Sequence, residues 1–361
     1  MRDRLRAADS YGAFRNTTRF GSLDGLRCLS IIGVIWHHGP GHKMHGLLRH
    51  GFLGVDLFFV ISGFLITTLL LRERDRFGEI SLKNFYARRS LRIFPLYYTI
   101  LGLYIVLVSL FGDNESADST FFGNLPYFLT YTSNWFIGKL SVTFGFSWSL
   151  AAEEQFYLAW PWVERYLPGR RPVWLALAAI VVVAVLGALA EVSGSTDMED
   201  WLVWRILVSI PAGICLGVLV AHTLHSKPGF EAAWNVLGRR CSSLAAFVLV
   251  PAMLAIGAGR FVDLVLALVV CSCVIREDHV LSRTLSSRPL AHVGMVSYGM
   301  YLMHGLVYQC IRRAPILRTL HPVAQVPLAI AGTIAGASLS FRYFEKVFLQ
   351  FKKHFVRVRI S

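Results

Sequence analysis

Arg27 and His38, in the stretch LDGLRCLSIIGVIWHH, are the sharpest chemical signal in this sequence. They lie eleven positions apart. On a helix that is close to three whole turns, so the two side chains share a face about 16 Å apart along the axis. Asp24 lies near the same face, one turn from Arg27, and His37 points elsewhere. An imidazole exchanges protons near neutral pH and a guanidinium binds anions. The pair therefore reads as a general base, facing into a helix bundle, above a cationic mouth. A histidine that only caps a helix end has the same sequence appearance. The next apolar stretch, HGFLGVDLFFVISGFLIT, places Asp56 among phenylalanines and Ser62 six residues on. A carboxylate there can orient or charge-balance a histidine, or simply suit the start of a helix. Ser62 is either a nucleophile or a small residue that lets helices approach.

Three further constellations follow. In NFYARRSLRIFPLYY, Arg89 and Arg92 are three residues apart and share a helix face. Two such arginines can clamp phosphates through forked hydrogen bonds, and they also fit membrane topology and contact with anionic lipid. In FSWSLAAEEQFYLAWPW, Ser149, Glu153 and Tyr157 are spaced i, i+4, i+8, while Glu154 points about 100° away from Glu153. Glu153 can pair with an arginine or touch a substrate hydroxyl. In VGMVSYGMYLMHGLVY, Ser297, Tyr301 and His304 are helical neighbours, suited to interhelical hydrogen bonds or to catalysis. His42, His45 and His50 follow His37 and His38, but no HExxH or other firm ligand spacing accompanies them, and no metal is expected.

These residues need elements to hold them, and the composition says which. The chain has 361 residues, 55% hydrophobic and 16% charged, with a mean hydropathy of +0.52. Soluble chains carry about 25% charged residues, so an ordinary cytosolic enzyme is excluded, as are disorder and collagen-like repeats. The pattern predicts an all-α, polytopic membrane protein with about ten transmembrane helices near 22–40, 51–71, 91–111, 146–164, 173–191, 201–223, 241–257, 260–275, 289–310 and 324–348. A re-entrant or interfacial segment is predicted at 121–137. The six cysteines form no CxxC, so neither a disulfide framework nor a zinc site is indicated. No cleavable signal peptide is visible.

The formal charge of +14 is distributed by topology. Basic clusters at 2–19, 72–92, 165–171, 227–240, 276–288 and 346–359 alternate with loops carrying Asp113, Glu115 and Asp118, or Glu191, Asp197, Glu199 and Asp200. This positive-inside pattern predicts both termini cytoplasmic, with Arg312, Arg313 and Arg318 as a dissenting outer loop. Nucleic acid is thereby set aside as a partner. The expected organisation is a basic cytoplasmic arm at 1–21, one transmembrane domain at 22–348 and a basic cytoplasmic tail at 349–361.

Together these segments resemble the acyltransferase-3 family of membrane O-acyltransferases, whose members acylate sugars of lipopolysaccharide, exopolysaccharide, Nod factors and macrolides. The resemblance rests on residues 23–38, 54–66, 85–98, 147–161 and 293–304, in the family's order. It implies that Arg27 and His38 form the family's arginine–histidine motif. Arg89 and Arg92 would form its RxxR motif, which engages acyl-CoA from the cytoplasm, and Glu153 its SWSLxxE glutamate. Asp56, Ser62, Tyr157, Tyr301 and His304 fall in matching motifs with less defined duties. The SGNH domain fused to some members has no counterpart here, so the membrane domain is expected to act alone or pass its acyl group to a separate protein.

The expected chemistry is transfer of an acyl group, foremost acetyl, from acetyl-CoA (acyl-CoA) as donor substrate to a hydroxylated sugar. His38 serves as base and Asp56 or Glu153 steadies it. Arg27, Arg89 and Arg92 bind the donor, and Tyr301, Ser62 or an arginine supports the oxyanion. Direct transfer is preferred to an acyl-His38 or acyl-Ser62 intermediate. The expected location is the bacterial cytoplasmic (inner) membrane, among membrane lipids, with the acceptor and oligomeric state left open. A proton-coupled transporter or flippase of a glycan or lipid intermediate is the rival reading, since intramembrane Asp, Glu, His and Arg suit it too. A third reading is a non-catalytic lipid-binding or assembly factor.

Overall fold

The computed structural model describes residues 2–112, 115–137, 143–193 and 201–355. Asp113, Asp197, Glu199, Asp200, Arg357 and Arg359, which entered the charge pattern, lie outside the described residues. Among the described residues the secondary structure is helical throughout, without strands. The chain divides into two compact units. The first comprises Met1–Gly78, Gly213–Lys346 and Arg357–Ser361, and the second Glu79–Ala212 and Val347–Val356.

In the first unit, α1 (Arg2–Asn16), α2 (Gly21–His38) and α3 (Leu53–Phe77) are followed by α10 (Ala212–His225), α11 (Lys227–Leu237), α12 (Ser242–Ala255), α13 (Val262–Ile275), α14 (Ser282–Leu285), α15 (Arg288–Arg313) and α16 (Pro322–Ser340). Helix α2 is the hub, packed by α3, α13, α14, α15 and α16. Its Leu26, Ile31, Val34 and Ile35 are wholly buried. In lipid, close packing of small residues rather than the hydrophobic effect draws helices together. Accordingly Gly54 lies against the backbone of Ser30, and Gly294 against the backbone of Asp24, where any Cβ would collide. The N-terminal arm is a docked helix. Tyr11 and Phe14 pack against Phe230 with ring centroids at 5.3 and 5.6 Å, and Arg15 pairs with Asp75 at 2.5 Å.

The second unit holds α4 (Leu82–Phe111), α5 (Glu115–Leu129), α6 (Ser133–Phe136), α7 (Ser147–Tyr166), α8 (Arg171–Ser193), α9 (Leu202–Val208) and the final turns, α17 (Lys346–Phe351) and a 3-10 turn, Lys352–Phe355. Ser81 caps α4 by accepting from the Asn84 N–H. Gln155 ties α7 down with bonds to Tyr131 O and Asn134 Oδ1, each 2.8 Å.

Each of the ten predicted segments falls on helix. Among the described residues, four helical runs are long and apolar enough to cross a membrane (Gly46–Phe77, Leu82–Phe111, Arg171–Leu189 and Pro322–Phe355), and up to six if α9 with α10, and α11 with α12, each count as one broken span. Val262–Ile275 is apolar but shorter. Helices α2, α7 and α15, which carry most of the chemical signal, are outside that set, because Asp24, Arg27, Glu153, Glu154 and their like dilute their apolarity. The predicted segment 121–137 is divided between α5 and α6.

Candidate active site

In the first unit α2 carries Asp24, Arg27 and His38 as the spacing predicts. Asp24 is buried, and its carboxylate accepts from Arg19 at 2.8 Å and faces Arg27 at 3.6 Å. Arg27 is thus partly engaged inside its own helix. His38 ends α2, and its Nδ1–H donates to the Val34 carbonyl at 3.0 Å. That bond fixes the tautomer, so Nε2 keeps the lone pair. His38 is an exposed residue at the end of α2. The buried imidazole is His304 on α15, 1% exposed, whose ring lies 4.7 Å from that of His38 at an angle of 60°. His304 repeats the arrangement, with Nδ1–H donating to the Tyr301 carbonyl at 2.5 Å. Tyr301 packs its ring 5.5 Å away. The Tyr308 hydroxyl donates to the Ile35 carbonyl at 2.8 Å and pins α15 to the end of α2. The structure therefore joins His38 on α2 to His304 and its helical neighbour Tyr301 on α15, far along the chain.

Other predicted residues lie elsewhere. Asp56, half-buried in the first turn of α3, receives no hydrogen bond or ion pair among the described residues. It is not joined to either histidine. Ser62 is half-buried on the same helix, roughly 9 Å further along its axis, beside Gly63, which abuts the backbone of Ile214. Ser297 donates to the Gly294 carbonyl of its own helix at 2.9 Å. His42 and His50 bond to the carbonyls of His37 and Gly46, so both loop imidazoles are engaged with local backbone. Among the described residues no group of three His, Cys, Asp or Glu is arranged around a metal position.

The second unit holds the guanidiniums. The Arg89 guanidinium sits over the Tyr157 ring at 4.8 Å and near the Phe85 ring at 5.9 Å. The Tyr157 hydroxyl donates to Glu153 Oε1. The charges of Arg92, Glu153 and Glu154 all act on Arg89. Glu153 and Tyr157 are paired as their spacing suggests, whereas Ser149 turns back to the Phe146 carbonyl at 3.3 Å. Three contributors were missed. Glu154 joins Glu153 beside Arg89 despite its different helical angle. Arg88, buried, donates to the Phe355 carbonyl at 2.5 Å. That contact brings the final turn onto α4, and Lys352 there comes within the field of Arg88, Arg89 and Arg92. Arg89, beside both carboxylates, is thus the centre of a group of four basic side chains suited to a polyanion. In sequence, only the basic character of the tail hinted at Lys352.

A family model described as an acyltransferase domain, acyltransferase 3, matches residues 20–342. The chain belongs to this acyltransferase-3 family. It is similar to peptidoglycan O-acetyltransferase OatA of Listeria monocytogenes, 28% identical across 92% of this chain and 57% of that protein. It is also similar to the Bacillus subtilis protein named "Putative peptidoglycan O-acetyltransferase YrhL", 30% identical across 90% of this chain and 54% of that one. The chain thus spans little more than half the length of these relatives. No solved structure matches it.

Proposed function

We propose that this chain is a membrane O-acyltransferase that moves an acyl group, foremost acetyl, from cytoplasmic acyl-CoA to a hydroxyl of a sugar. Because the relatives are named for peptidoglycan, a peptidoglycan sugar is the first acceptor to test, ahead of other cell-surface polysaccharides, glycolipids or glycosylated metabolites. In this reading the chain sits in the bacterial cytoplasmic membrane, with ten spans and both termini cytoplasmic.

The observation that carries the reading is the state of His38. With its Nδ1–H committed to Val34, Nε2 is the nitrogen able to act as base. His38 Nε2 takes the hydroxyl proton as the acceptor oxygen bonds to the thioester carbonyl carbon. The carbonyl electron pair moves onto its oxygen, and Tyr301, Ser62 or an arginine stabilises that charge. Collapse of the intermediate breaks the C–S bond, and the imidazolium returns its proton to the departing thiolate. His304, edge-on to His38, keeps the ring in place. Asp56, first expected to steady the base, has no bond to either histidine and is given no step. Arg89 and Arg92, joined by Arg88 and Lys352, hold the donor's phosphates. Glu153 acts through Tyr157 to position Arg89, a change from the histidine-steadying duty first expected of it.

The test is a transfer assay with purified chain, labelled acetyl-CoA and peptidoglycan fragments, read by mass spectrometry. An acetyl ester on the sugar, together with thermal stabilisation of the protein by acetyl-CoA, is the expected result. Stabilisation by sugar alone, with the donor left intact, would replace this reading with a carrier.

A further inference from the structure

A second basic recess lies in the first unit, at the opposite end of α15 from His304, about 24 Å along the helix axis. Its volume is about 360 Å³, and Arg19, Ser286, Arg288, Ala291, His292 and Met295 line it. No acidic side chain is among the lining residues. Arg19 is half-exposed and pairs with Asp24 at 2.8 Å, outside the lining of the recess. Arg288 is exposed and has no hydrogen-bond or ion-pair partner among the described residues. His292 bonds through Nε2 to Ser338 Oγ at 2.9 Å, which orients the ring. Gly21, the first residue of α2, also borders the recess, and a Cβ there would sit 2.9 Å from Ser286 Oγ.

The order of these groups along α15 identifies an occupant. Arg288, His292 and Met295 are spaced i, i+4, i+7 and share one face. The polar groups come first, and Met295, 43% exposed, lies about 10 Å beyond Arg288 along the helix. A free phosphate needs the cations but not the apolar wall. A molecule with an anionic head and a hydrocarbon tail matches both. Basic recesses between helices at a membrane surface favour such headgroups.

We propose that this recess binds the phosphate of an anionic membrane phospholipid, with Arg19, Arg288 and His292 around the headgroup and its acyl chain running past Ala291 and Met295. The site is independent of the acyl-transfer reading.

The test uses the whole chain, delipidated in an uncharged detergent, with binding followed by thermal unfolding and native mass spectrometry. The probes are short-chain phosphatidylglycerol, short-chain phosphatidylcholine and inorganic phosphate. Phosphatidylglycerol should stabilise the protein more than either other probe. Arg288→Ala and His292→Ala, assayed as separate proteins so that a folding failure in one leaves the other readable, should both weaken it, Arg288→Ala about fivefold, the equivalent of about 1 kcal/mol for an arginine at an anionic surface, and His292→Ala by a smaller factor. Arg288→Lys should bind within about twofold of the parent, since the charge persists. An equal response to phosphatidylcholine or to inorganic phosphate, or unchanged affinity in the folded alanine variants, overturns the proposal.

Discussion

His38 and His304 each give their Nδ1 proton to a backbone carbonyl one turn back on their own helix. Arg89 is held by side chains of another helix, the ring of Tyr157 and the charges of Glu153 and Glu154. The imidazoles are oriented by neutral, local bonds that leave a lone pair for chemistry. The guanidinium is charge-balanced and pre-positioned by partners that would be costly to remove inside a low-dielectric bundle. One group is arranged to exchange a proton, the other to keep its charge. Substitutions in the two groups should therefore fail differently, the arginines in donor binding and the histidines in turnover.

The largest effect on binding is expected from Arg89→Ala combined with Arg92→Ala. Two charge-assisted contacts at about 1.5 kcal/mol each amount to roughly 100-fold in donor affinity, measured by titrating acetyl-CoA in detergent. Unchanged affinity would remove the donor site from α4. His304→Ala should lower kcat up to about tenfold, the worth of one aromatic pair, with the donor KM unchanged. A KM change instead would blur the contrast between the groups. Tyr157→Phe keeps the ring under Arg89 but loses the hydroxyl bond to Glu153, and should raise the donor KM about threefold. An effect as large as that of the double arginine variant would make Tyr157 a substrate contact.

A third imidazole extends the comparison to stability. His279, in the loop between α13 and α14, is buried between Ser22 and Ser243 at 2.9 and 3.0 Å. Burial holds its pKa below the usual 6.5. Above about 6.5 its contribution to stability is fully present. As pH falls below that value, the unfolded chain takes up a proton that the folded state resists, and stability is lost. Thermal unfolding should show a small drop in Tm from pH 7.5 to 5.5, flattened in His279→Gln. An identical pH profile in the variant would assign the drop to other groups.

Much of the architecture is legible in the sequence, because apolar runs of helical length have few other ways to satisfy their backbone in lipid. The span at 91–111 lies on α4, which begins at Leu82, where Ser81 caps it, and so includes Arg89 and Arg92. The run at 201–223 breaks between Val208 and Ala212, where Pro211 disfavours helix in the residue before it. The docking of α1 has no apolar periodicity to announce it and depends on Tyr11 and Phe14 meeting Phe230. Motif spacing found His38, grouped Arg89 with Arg92 and Tyr301 with His304, and paired Glu153 with Tyr157 as the structure does. It paired His38 with a carboxylate, whereas the folded chain brings His304 to it, a contact between helices that no local spacing encodes. Lys352 and Arg88 were hidden for the same reason, because the tail's approach to α4 is a tertiary event.

The base assignment is tested most directly by single-turnover acyl transfer with His38→Ala, in protein that still inserts and still binds acetyl-CoA. A positioned general base contributes on the order of 100-fold or more, and the account predicts at least that loss with donor affinity intact. Transfer at the parent rate in that variant would contradict it.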